Sequence, residues 1–140
     1  MTCYVLLDTD VFSYLWKGHS YDEPFRRAIE GQRPCISFAT VAELYKGTTK
    51  QGWGAAKIAQ LETHLERTLV VPFDIELSRT CGRLLARCEQ RGLTMEEFDA
   101  WIAATALRHD IPLATNNRKH FEGIPNLVLV AGDDREEAEA

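Results

Sequence analysis

Asp8, Glu43 and Asp99 come from three distant stretches of the chain and are the side chains whose placement could do chemistry. Asp8 ends the apolar run Cys3-Tyr-Val-Leu-Leu7, the pattern of a strand buried on both faces, and open parallel sheets gather ligands at the carboxyl ends of their strands. Asp8 or Asp10 could equally do no more than cap the helix that follows, and Asp10 is the better placed for it. Asp99 is harder to explain as a cap. Thr94 and Glu97 have capping-box spacing and Leu93 and Phe98 have hydrophobic-staple spacing, so a helix opening at Thr94 would leave Asp99 in its interior. There it shares a face with Ile102, Ala103 and Ala106, which points its carboxylate toward the apolar side. A carboxylate buried alone is costly, so Asp99 calls for a partner: a metal, a base or a cluster of donors. Glu43 says less by itself, because Thr40 and Glu43 also have capping-box spacing. Asn116 and Asn117, at a strand end, are ordinary turn residues by default.

The elements that must position these groups alternate between short apolar runs and helical patterns. After the first strand, Val11 to Lys17 reads as a helix stopped by Gly18, and Pro24 to Glu30 as another closed by Gly31. Cys35 to Phe38 is a second strand, and Thr40 to Lys46 a helix ending at Gly47. Ala55 to Arg67 carries Ile58, Leu61 and Leu65 on one helix face, and Leu69 to Val71 is a third strand before Pro72. Ile75 to Arg91 is a helix stopped by Gly92, and the next runs from Thr94 to about Arg108. Pro112 to Ala114 and Leu127 to Val130 complete the strands, separated by the polar turn Thr115 to Arg118. Such alternation implies right-handed crossovers and a three-layer α/β/α sandwich around a parallel sheet of four or five strands.

A chain of 140 residues, 45% apolar and 26% charged, suits one globular domain, here residues 1–130, and is too short for two cores. The net charge of −5 includes −4 from residues 131–140, where five carboxylates face Arg135 alone, so this tail is expected to be disordered and the body is nearly neutral at −1. A neutral body neither advertises nor forbids a nucleic-acid substrate. Cys3, Cys35, Cys81 and Cys88 show no CxxC spacing or histidine pair and read as buried thiols in a reducing compartment. The first ten residues lack the positive region of a secretion signal, and no apolar stretch approaches the roughly 20 residues that span a bilayer, so a cytoplasmic protein off the membrane is expected.

Four blocks in order, LLDTDVFSYLWKG, SFATVAELYKG, FDAWIAATAL and PLATNNRKHF, together resemble the PIN-domain family over residues 3–130, with the second and third closest to VapC toxins of toxin–antitoxin pairs. The resemblance implies a metal-dependent endoribonuclease. It makes Asp8, Glu43 and Asp99 the acidic residues of a Mg2+ or Mn2+ pocket, with Thr9 and Thr115 orienting carboxylates or water. Asn117 stands at a fourth catalytic position that is often aspartate, which favours one tightly held ion over two. Lys46, Arg118 and Lys119 are candidates for RNA phosphates. A VapB-like antitoxin and a homodimer follow from the family alone, with Trp16, Tyr45 and Trp53 as candidate apolar contacts or core residues.

Two other readings deserve a test. LLDTDV also fits the first motif of haloacid-dehalogenase-like phosphatases, with Asp8 as nucleophile and Asp10 as acid, and VAGDD near the chain end mimics their last motif. That reading assigns nothing to Glu43 or Asp99. A PIN-like module that binds RNA or a partner without cutting is the other, and the intact acidic trio argues against it.

Overall fold

The computed structural model describes residues 2–17 and 26–130. Its five strands are β1 (Tyr4–Leu7), β2 (Arg33–Ser37), β3 (Leu69–Val71), β4 (Leu113–Ala114) and β5 (Leu129–Val130), all paired in parallel in the order β3-β2-β1-β4-β5. The chain therefore walks outward from β1 to one side and returns to build the other. That reversal opens a crevice beside the carboxyl end of β1. The helices are α1 (Thr9–Lys17), α2 (Phe38–Lys50), α3 (Ala55–Glu66), α4 (Ile75–Gln90), α5 (Glu97–His109) and α6 (Arg118–Phe121).

The side-chain alternation of β1 divides the core into two layers. Val5 and Leu7 pack with Val11 and Phe12 of α1 and Leu61 of α3, whereas Leu6 faces Ile102, Ala103 and Ala106 of α5 and Phe121 of α6. The expected three-layer sandwich is thus present. Each fully buried aliphatic side chain such as Val5, Leu6 or Ile36 contributes roughly 1.5–3 kcal/mol. Trp16 and Trp53 pack against the layer of Val5 and Leu7, with ring centroids 5.9 Å apart, while Tyr45 remains exposed.

Several boundaries differ from expectation, each for a local reason. β2 ends at Ser37, whose hydroxyl accepts the N–H of Ala39 and so starts α2 at Phe38. Thr40 and Glu43 therefore form no capping box. The helix also passes through Gly47 to Lys50, with the buried Thr48 hydroxyl donating to Tyr45 O at 2.8 Å.

The start of α5 differs more consequentially. α4 closes with Gly92 in the left-handed region at φ 71°, the Gly92 N–H donating to Glu89 O at 3.0 Å and the Leu93 N–H to Cys88 O at 2.8 Å. Leu93 is thereby used to finish α4, lies 53% exposed, and makes no staple with Phe98. Glu96, not Thr94, caps α5, accepting the Asp99 N–H at 3.4 Å, and Met95 with Ala100 supplies the apolar contact instead.

The turn expected after β4 holds α6 as well, and β4 and β5 are shorter than the apolar runs that encode them. Of the helix expected at 24–30, residues 26–28 are helical; Gly18 and the acidic tail lie outside the described residues. All four cysteines are free, but Cys3 is exposed and Cys88 only partly buried, so the expectation of buried thiols holds for Cys35 and Cys81. No described helix is long and apolar enough to cross a membrane.

Candidate active site

The carboxyl end of β1 delivers Asp8 into the crevice with only 4% of its surface exposed. One oxygen accepts the Thr9 N–H at 2.8 Å and the other the Thr115 hydroxyl at 2.7 Å. Thr115 follows β4, which pairs with β1 through Leu7 and Ala114, so the two halves of the sheet meet at this bond. Thr9, at the start of α1, donates its hydroxyl to Glu43 Oε1 at 2.8 Å and lies 3.1 Å from the buried Thr40 Oγ1 of α2. Both threonine hydroxyls thus donate to carboxylates of the crevice.

Asp99 belongs to the first turn of α5, which corrects the interior position inferred for it. Its side chain is nevertheless only 15% exposed and does have a partner: His120 Nδ1 of α6 lies 2.9 Å from Asp99 Oδ2, the distance at which an Nδ1–H donates. Asn117 accepts no role beside the trio directly. Its amide donates to Asp10 Oδ2 at 2.8 Å and its N–H to Thr115 Oγ1 at 2.9 Å. Asp10 is correspondingly a member of the cluster in the first turn of α1, and Asp8 immediately precedes that helix.

Electrostatics tie these groups together. Burial pushes the Asp8 carboxyl up to about 6, against the opposing pull of the Thr115 and Thr9 bonds, and the charges of Asp10 and Asp99 push the same way. Glu43 is raised by burial and by Asp8, Glu96 and Asp99; Asp99 is raised by burial and by Glu96 and Asp10, with His120 opposing. Five carboxylates from α1, α2, α5 and the segments before them therefore share one field, and the His120 imidazole is bonded to one of them.

An all-oxygen donor set in so negative a field suits a hard divalent cation such as Mg2+ or Mn2+ and suits zinc poorly. Among the described residues no three acidic, histidine or cysteine groups converge closely enough to enclose an ion as they stand. Each carboxylate is turned to its own donor: Asp8 to Thr115, Glu43 to Thr9, Asp99 to His120.

Of the candidate cations, the Lys46 ammonium sits 5.7 Å from the centroid of the Phe98 ring, beside Asp99 in sequence, and Lys119 is exposed next to His120. Arg118 opens α6. Sequence reasoning missed Asp10 as a member of the cluster, Glu96 and His120. The signal for His120 was its place in the PLATNNRKHF block, one residue before the buried Phe121 that fixes α6 against the sheet.

A single crevice at the reversal point of a parallel sheet, lined by carboxylates on separate elements, is the plan of a PIN domain, and the PIN-domain family model matches residues 5–127. The chain belongs to that family. Within it the similarity runs to VapC proteins: ribonuclease VapC2 of Rickettsia felis is 31% identical over 89% of this chain and 94% of its own length. The tRNA(fMet)-specific endonuclease VapC of Salmonella typhimurium is 27% identical over 89% of this chain and 94% of its own. The solved structure of VapBC2 from Rickettsia felis, bound to a DNA fragment from the promoter, superposes with a TM-score of 0.77 at 30% identity, covering 90% of this chain and 96% of that one. VapBC-1 of nontypeable Haemophilus influenzae gives the same TM-score at 28% identity, with 92% and 98% covered.

Proposed function

We propose that this chain is an endoribonuclease of the VapC kind, the toxin of a toxin–antitoxin pair, which hydrolyses RNA phosphodiesters at the Asp8, Glu43 and Asp99 carboxylates with Mg2+ or Mn2+. The observation that carries the reading is the buried Asp8, raised to about 6 by burial and by its acidic neighbours, with no lysine or arginine among the described residues bonded to it. Asp8 and Asp99 would hold the ion, and Asn117 would act through its bond to Asp10. When bound, the ion supplies charge to the scissile phosphate and makes an attacking water more acidic. Glu43, held by the Thr9 hydroxyl, would complete the shell or receive the proton that the water loses. Its upward-shifted carboxyl makes it a better base than a free glutamate.

The partners belong to the same proposal. A VapB-like antitoxin would cover the acidic crevice, where a basic side chain could satisfy the carboxylates in place of the ion. A homodimer and a cytoplasmic site of action complete the picture.

The test is cleavage of cellular RNA by Asp8→Ala, Asp99→Ala and Asp10→Ala proteins with Mn2+ supplied. The first two should lose cutting by more than about a hundredfold, a typical loss for removing charge stabilisation at a reacting centre, while the third stays within about tenfold. Full activity of Asp8→Ala would sink the nuclease reading. Loss with Asp10→Ala together with phosphatase activity would favour the phosphatase reading, against which the structure sets an exposed Asp10 engaged by Asn117. Expression of the chain alone should slow growth in a manner that requires Asp8.

A further inference from the structure

Asp99 and His120, but not Asp8, line a cavity of about 570 Å³ between α4, the 91–96 segment, α5 and α6 with the loop after it. Its cations are ordered. Arg83, Arg87 and Arg91 line the α4 wall at one-turn intervals, about 6 Å apart along the helix axis. Lys119 faces them from α6. All four are exposed, and none has an ion pair among the described residues.

The acids of this cavity are Glu96 and Asp99, at the end that adjoins the carboxylate site. Its floor is apolar, with Leu84, Leu107 and Ile124. A structural account covers only part of the pattern: Arg87 and Arg91 gain from the carboxyl-terminal dipole of α4, but Arg83 lies two turns from that end, beyond its reach.

We infer that this groove seats the single-stranded RNA on one side of the cut, with phosphates on Arg83, Arg87, Arg91 and Lys119 and a base against the apolar floor. The inference rests on the ribonuclease reading and extends it by naming where the strand runs. A polyanion of regular repeat matches a ladder of regular repeat, and the ladder points at the carboxylates that would hold the cleaved phosphate. Phosphates held this way fix register and orientation without reading sequence. An acidic polypeptide is the competing occupant, but it offers no such periodic charge and gains nothing from ending at Asp99.

The experiment measures binding of a fluorescent oligouridylate dodecamer to the full chain carrying Asp8→Asn, so that the probe survives, across a series of salt concentrations. Adding Arg83→Gln, Arg87→Gln and Arg91→Gln together should weaken binding by at least about tenfold and lower the slope of log affinity against log salt by about 2, the value for three phosphate contacts on a single strand. Arg79→Gln, on α4 but outside the cavity, should change neither. Unchanged affinity and slope in the triple variant, with its unfolding midpoint intact, overturns the proposal. So does a polyglutamate peptide that loses affinity for the triple variant while the RNA does not, which would give the groove to a polypeptide.

Cleavage of the same RNA by the chain with Asp8 intact and Mn2+ added separates the two readings. Cutting without a change in the triple variant defeats the groove and leaves the nuclease, whereas no cutting with the expected binding loss defeats the nuclease and leaves the groove.

Discussion

Asp8 holds its charge against its surroundings. Its carboxyl is raised from 3.8 to about 6 in the folded chain, so folding favours the protonated form. Stability contributed by that proton is present below about 4, declines as pH rises toward 6, and is absent above it. At neutral pH the ionised group therefore weakens the fold, by a few kcal/mol at most. Asp8→Asn should raise the unfolding midpoint at pH 7.5 in the absence of divalent ions while abolishing cleavage, and the gain should shrink toward zero at pH 4. A denaturation series at the two pH values decides it; a destabilised variant at pH 7.5 would show that the charge is compensated by something else. The same proton competes with a metal, so Mn2+ affinity should fall by up to about tenfold for each pH unit below 6, measurable by calorimetry between pH 5 and 7.5. A flat profile would remove Asp8 from the ligand set. Asp99 illustrates how sequence reasoning reached a sound conclusion by a faulty path. Its need for a partner was legible from the apolar neighbours Ile102, Ala103 and Ala106, but its helical position was not, because Leu93 closes α4 before α5 begins. His120 stood in the PLATNNRKHF block, but nothing in 21 residues of separation announces its contact with Asp99 across α5 and α6.

Elements bear the signature of which local interaction acts first. Ser37 has β2 behind it and α2 ahead, is fully buried, accepts the Ala39 N–H, and has its hydroxyl 3.3 Å from the Thr105 Oγ1 of α5. Ser37→Ala should cost about 1–2 kcal/mol in unfolding free energy, with cleavage retained because no acidic group touches it. Gly47 offers the opposite case: it sits inside α2 at ordinary helical φ, and nothing lies within 4 Å of where a Cβ would stand. Gly47→Ala should stabilise the chain by up to about 1 kcal/mol, read as a higher urea midpoint at unchanged slope. A lower midpoint would reveal a contact at that face, such as a second subunit. β1 was legible because Val5, Leu6 and Leu7 are apolar without interruption, as burial on two faces demands, whereas Leu69 to Val71 carries the same pattern at the edge of the sheet with Leu69 exposed. Boundaries at Gly47 and Thr94 were not, because a glycine is tolerated where packing outweighs its entropy and a capping pattern is idle where the preceding helix consumes the next residues.

Across the whole molecule, the site depends on two cores that share one sheet. Leu6 joins the α5 and α6 layer and its neighbours Val5 and Leu7 the α1 and α3 layer, so Leu6→Ala should remove roughly 2–5 kcal/mol and lower cleavage only through the folded fraction, leaving specific activity of the folded protein unchanged. The Asp74 carboxylate, which caps α4 through Leu77 and accepts Arg108 Nη2 at 2.8 Å, fastens the start of α4 to the end of α5 and so holds the arginine ladder beside Asp99. The pairing of β1 with β4, Leu6 with Leu113 and Leu7 with Ala114, has a further effect. The Thr115 hydroxyl that orients Asp8 is made 107 positions after it. Contacts so distant in sequence close late. While the residues between them are still being made, the nascent chain lacks the bond that orients Asp8, and the crevice assembles only once β4 has been added.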